Sequence, residues 1–173
     1  MRTHTVQRPE AVKSCTMFET IAGIPAHPLF VHAAVAFVPV AALLTVITAA
    51  CSPARAGTLR TATAIASTIG AMSAIIARSS GEAMLPMLGL SEENLGEVTK
   101  HAEYSPYAVI AAVALALVAL LLWWTGRKEY ALSGTIVLIL RIVLVILAIT
   151  AVITVVLTGH EGARLVWTSE LAS

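Results

Sequence analysis

Aspartate is missing altogether: the ten acidic residues in this chain of 173 are all glutamate, set against eleven lysines and arginines. Without Asp there is no Asp-built Ca²⁺ loop, no aspartyl dyad and no Walker-type Mg²⁺ ligand. Charge of either sign is scarce, at 12% of positions, where a soluble domain carries about 25%. The eleven basic residues are scattered and leave a formal net charge of only +1, which excludes a nucleic-acid-binding surface. Cysteine is nearly absent too, and neither Cys15 nor Cys51 has a partner at metal-ligand spacing. What fills the chain instead is apolar: 58% hydrophobic residues and a mean hydropathy of +0.86. That composition belongs in a lipid bilayer.

A spanning helix needs about 20 mostly apolar residues, because roughly 30 Å of hydrocarbon is crossed at about 1.5 Å per residue. Four stretches qualify, at about 28–51, 59–77, 106–125 and 133–158. The runs are too long and too continuous for barrel strands, which alternate over about ten residues. The expected fold is therefore all-α, a four-helix transmembrane bundle forming one domain over residues 17–173. The first run is longer than the core of a signal peptide and is expected to stay in the protein. Residues 1–16 show no helical periodicity and are expected to be a disordered tail, or untranslated if Met17 is the start.

Four zigzagging spans put two short links on one side, one with Arg55 and Arg60 and one with Arg127, Lys128 and Glu129. The other side receives the long link 81–105, with Glu82, Glu92, Glu93, Glu97 and Glu103 against Lys100 alone. By the positive-inside rule the short links face the cytoplasm and both termini lie outside. Cys15 and Cys51 then fall on opposite sides, which excludes a disulfide between them. In the long link, Ser91 before Glu92 and Glu93 has the form of a helix cap, and Leu95, Val98 and Ala102 recur at helical spacing. This predicts a short external helix over about 91–104 between spans 2 and 3, with Pro106 either opening span 3 or kinking one continuous helix. Pro39 is expected to bend span 1, and Ala66, Gly70 and Ala74 form a small-residue stripe suited to close helix approach.

With the spans oriented, every histidine outside the tail falls at the outer face: His27 and His32 at the start of span 1, His101 before span 3 and His160 after span 4. Arg78 and Glu82 close span 2 on the same side. Each has an ordinary structural account. His27 tops a first-turn proline, Arg78 and Glu82 form an i,i+4 ion pair, and His101 and His160 are solvated surface residues. His27 and His32, five residues apart, project at roughly 140° from each other and cannot chelate from one helix. Together, four histidines on one face of a membrane protein point to a binding site. Two imidazoles from different helices can hold a b-type haem, with Arg78 or Lys100 near its propionates. A Zn²⁺ or Cu²⁺ ion would draw three or four ligands from His27, His32, His101, His160 and Glu82. Proton handling through His and Glu needs no metal. Ser79 and Ser80 lack a G-x-S-x-G frame, and nothing else suggests an enzyme.

The stretch I-A-G-I-P-A-H-P-L-F-V-H-A-A-V from Ile21 to Val35, the S-G-E-A around Gly81, the K-H-A-E at His101 and the T-G-H-E-G-A-R-L-V-W from Thr158 to Trp167 resemble a family of bacterial membrane proteins, domain of unknown function 2231. The positions matching that pattern are His27, Pro28, His32, Gly81, His101, Gly159 and Gly162. The resemblance implies a four-span protein of the bacterial plasma membrane. The fusion of some members to Rieske iron–sulfur domains implies redox chemistry by analogy.

The expected function is thus an accessory redox protein that binds haem b or a metal through an outward-facing His cluster. The ligand pair favoured for depth and separation is His32 with His101, followed by His27 and His160, with Arg78, Glu82 and Lys100 in support. One alternative is a cofactor-free structural or assembly subunit of a larger membrane complex. Another is a component of a small-ion or proton transporter, working as an oligomer because four spans show no internal sequence repeat. The expected partners are the lipid bilayer, a redox or membrane-complex protein and further copies of the chain.

Overall fold

A computed structural model describes residues 20–51, 56–126 and 132–171. Four helices run antiparallel in sequence: α1 (Ala26–Ala50), α2 (Ala56–Met84), α3 (Thr99–Thr125) and α4 (Gly134–Leu171). All four are long and apolar enough to cross a membrane. Each packs mainly on the next in sequence and α4 closes the ring on α1, making a four-helix bundle. The tail 1–16 and the basic link residues Arg55, Arg127 and Lys128 lie outside the described residues, as does Cys15; Cys51 is a free thiol.

The buried positions explain the packing. In α1 they include Ala34, Val38, Ala41, Thr45 and Thr48, and in α3 Ala108, Ala112, Leu115, Ala119 and Leu122. In α2, Thr63, Ser67, Ala74 and Ala77 follow the same alternation of three- and four-residue steps, with buried Gly70 between them. So do Leu144, Ala148, Ala151 and Val155 of α4. This heptad rhythm is that of left-handed bundles. The core is built of alanine, and the large side chains, among them Ile65, Leu117, Ile142 and Ile146, point outward. Such an arrangement fits a solvent of lipid, where helices associate by close packing rather than by escaping water. The stripe Ala66, Gly70 and Ala74 is buried, as its spacing predicts. A Cβ on Gly70 would stand 3.0 Å from Val38 Cγ2 and 3.3 Å from the Val38 backbone nitrogen, so α1 and α2 meet there almost backbone to backbone.

At the end carrying the histidines the helices continue beyond the apolar runs. α2 persists to Met84, and α3 starts at Thr99, seven residues before the apolar run that opens at Pro106. A separate external helix over 91–104 does not form. Leu85–Leu88 and Gly96–Val98 are 3₁₀ turns, Ser91 and Asn94 close a tight turn, and residues 99–104 are the first turns of α3. Ser91 bonds the backbone of Asn94, but Gly89 and Gly96, both with positive φ, break the intervening chain. Pro106 therefore sits inside a continuous helix. Before α1, Thr20–Ile21 (β1) and Ile24–Pro25 (β2) pair as a minimal hairpin, turned by Ala22 and Gly23 at φ 51 and 82.

Candidate functional site

Two of the four histidines come together. His27 opens α1 and His101 lies in the first turn of α3, and their rings meet edge to face with centroids 6.0 Å apart. Each is held from behind by the helix that follows it in sequence. His27 Nδ1–H donates to the carbonyl of Ala77 in α2 at 2.7 Å, and His101 Nδ1–H donates to the carbonyl of Thr158 in α4 at 2.9 Å. A carbonyl oxygen can only accept, so the proton of each neutral ring is on Nδ1 and the lone pair on Nε2.

The support behind each ring is the same. A Cβ on Gly81 would stand 3.0 Å from Cε1 and Nδ1 of His27, and one on Gly162 would stand 3.1 Å from Nδ1 of His101. In both halves of the bundle the accepting carbonyl lies four residues before the glycine: Ala77 before Gly81, Thr158 before Gly162. One helix turn thus offers an acceptor and a bare surface, and the imidazole lies across both. Helices α1–α2 and α3–α4 repeat this arrangement, although the residues that build it show no sequence repeat.

The heptad rhythm accounts for the choice of histidines. His27 is seven residues before Ala34 and His101 seven before Ala108, so both belong to the buried seams of their helices. Ala77 and Gly81 continue the seam of α2, seven residues beyond Gly70 and Ala74, while Thr158 and Gly162 continue that of α4 beyond Ala151 and Val155. His32 is off the seam. It is exposed, and its Nδ1 bonds the carbonyl of Pro28 in its own helix at 2.5 Å. His160 is exposed on α4. The pairing the structure makes is therefore His27 with His101, and it leaves His32 and His160 outside. Counting the seams back to the helix ends picks out His27 and His101, as well as the glycines behind them. Depth in the apolar run does not.

Polar groups line the same end. Ser80, fully buried, donates to the carbonyls of Ile76 and Ala77 at 2.7 and 3.0 Å. Arg78 pairs with Glu82 at 2.7 Å and reaches across to Ser105 Oγ in α3 at 3.2 Å. Lys100 is exposed beside His101, and Glu161 pairs with Arg164 at 3.2 Å. Among the described residues no three His, Cys or Glu side chains stand close enough to hold one metal ion.

A family model described as "Predicted membrane protein (DUF2231)" matches residues 23–173. No curated protein and no solved structure matches the chain.

Proposed function

Because the chain belongs to the DUF2231 family of predicted membrane proteins, whose model covers residues 23–173, its function has to be read from the site itself, and we propose that His27 and His101 are a pair of metal-ligating imidazoles for haem b in an accessory redox protein. The observation carrying this reading is the fixed tautomer. Each Nδ1–H is tied to a backbone carbonyl, the support that ligating histidines have behind them, and each Nε2 keeps its lone pair. The two rings come from different helices, with centroids 6.0 Å apart and planes at 87°. Two protein donors are too few for a structural Zn²⁺ site, which takes four, but suffice for a haem, whose porphyrin supplies the other nitrogens. Haem would supply one-electron chemistry, and the chain would contribute the two ligands and their orientation. Lys100 is the cation for the propionates, since Arg78 is engaged with Glu82 and Ser105.

The purified protein in mild detergent is expected to show a Soret band that shifts on reduction. The band should be lost in His27→Ala and in His101→Ala and kept in His32→Ala and His160→Ala. Metal without a Soret band would replace haem by a bare ion at the same pair. A folded, colourless, metal-free protein overturns both.

A second reading has its own observation. Each Nδ1–H···O=C bond joins two helices, so the histidines serve equally as clamps in a cofactor-free structural or assembly subunit. That reading expects co-purification with a larger complex, and helix pairs that loosen when either clamp is removed. For either function we place the histidine end outside the bacterial plasma membrane, following the basic short links.

A further inference from the structure

The two halves of the bundle share one pattern of buried positions but fill it with different chemistry. Thr45 and Thr48 of α1 are 18 and 21 residues after His27, and Ala119 and Leu122 of α3 stand at the same distances after His101. Thr63 and Ser67 of α2 are 18 and 14 residues before Gly81, and Leu144 and Ala148 of α4 stand at the same distances before Gly162. All eight are buried. Alanine and leucine therefore satisfy the packing of this layer in α3 and α4, whereas α1 and α2 place four hydroxyls there. Inside a bundle bathed in lipid, such groups are costly unless they are bonded.

Two of the four are bonded. Thr63 Oγ1–H donates to the carbonyl of Leu59 at 2.8 Å, which leaves Thr48 to donate to Thr63 Oγ1 at 3.0 Å. Thr45 and Ser67 are 0% and 2% exposed, and their hydroxyls have no partner among the described residues. Neither turns back to the carbonyl four residues earlier, as Thr63, Thr68 and Ser80 do. Two contacts between α1 and α2 bracket them: Thr48 bonded to Thr63 on one side, and Val38 against Gly70 on the other. Thr45 falls between Val38 and Thr48, and Ser67 between Thr63 and Gly70. The two orphaned hydroxyls thus share one layer of the α1–α2 interface without bonding each other.

We propose that Thr45 and Ser67 hold a structural water molecule between α1 and α2, which accepts from one hydroxyl and donates to the other. A buried water takes two to four polar partners, and each hydroxyl can both donate and accept. A cation fits this donor set poorly. Both helices stay continuous through the layer, which keeps their carbonyls in the backbone ladder, whereas transporters give Na⁺ the carbonyls of unwound helices. The α1–α2 half of the bundle is then the hydrated half, and the α3–α4 half is dry at the same depth.

The test joins a crystal structure of the full chain at water-resolving resolution to a double-mutant cycle on thermal midpoints in detergent. Thr45→Val and Ser67→Ala remove the hydroxyls with little change of shape. The map is expected to hold a water within about 3 Å of both Thr45 Oγ1 and Ser67 Oγ. Each single variant should lower the midpoint by about 2–4 °C, because it leaves the water and the other hydroxyl short of a bond. The double variant should fall no further than the larger single one. Hydroxyls that hold nothing behave in the opposite way: removing them raises the midpoint, and the gains add. That result overturns the proposal, as does a map in which the two hydroxyls bond each other directly. A wild-type midpoint that rises in NaCl but not in choline chloride would assign the layer to Na⁺ and overturn it too.

Discussion

Gly81 approaches His27 so closely that a Cβ on the glycine would stand 3.0 Å from both Cε1 and Nδ1 of the imidazole. The ring cannot retreat without giving up its bond to Ala77, because the acceptor is in the same helix turn as the glycine. Gly81→Ala should therefore push His27 off its carbonyl, and Gly162→Ala should do the same to His101. Overpacking of this kind costs about 1–3 kcal/mol. The thermal midpoint in detergent should fall for both variants and stay level or rise for Gly57→Ala, where nothing lies within 4 Å of an added Cβ. Equal midpoints for Gly81→Ala and Gly57→Ala would refute the platform role.

The four spans are legible in the sequence because a bilayer demands long apolar runs, and 28–51 and 106–125 lie largely within the helices α1 and α3. Helix ends are less legible. α2 and α4 run past the apolar stretches 59–77 and 133–158, and tertiary bonds such as His101 to Thr158 have no local signature. The site itself was half legible. Chemistry alone marks four histidines at one end, but direction decides which of them meet. The deepest, His32, points off the seam of α1, whereas His27 continues it.

The contact of Gly70 with Val38 sets how closely α1 and α2 approach. Gly70→Val puts branched carbon against both Val38 Cγ2 and the Val38 backbone nitrogen. We expect a loss of about 1–3 kcal/mol. Val38→Ala in the same chain removes the side-chain clash but not the backbone one, so it should restore part of the loss and not all of it. A double-mutant cycle on unfolding midpoints measures the coupling; simple additivity would show that the two positions do not meet.

Arg78 and Glu82 differ in what they hold. Their ion pair is exposed at 37% and 44% of the two side chains, so Glu82→Gln should cost less than about 0.5 kcal/mol. Arg78 also donates to Ser105 of α3, and Arg78→Gln should cost up to about 1 kcal/mol more. Unfolding in salt near 1 M, where the screening length is about 3 Å, should erase the Glu82→Gln difference and leave most of that of Arg78→Gln. If both differences vanish in salt, the bond to Ser105 contributes nothing.

The charges predict a sidedness that labelling can test. The long link presents exposed Glu92, Glu93 and Glu97 at the histidine end, while Arg60 and Arg141 mark the other end, to which Arg55, Arg127 and Lys128 also belong by sequence. Short basic links are retained on the cytoplasmic side. With Cys15 and Cys51 replaced by serine, Glu93→Cys should react with a membrane-impermeant maleimide in intact cells, and Thr58→Cys should react only after permeabilisation. Both positions are exposed, so failure to react reports the barrier and not burial. The inverse labelling pattern would turn the histidine pair toward the cytoplasm, where a reducing, metal-buffered compartment would be its source of electrons and cofactor.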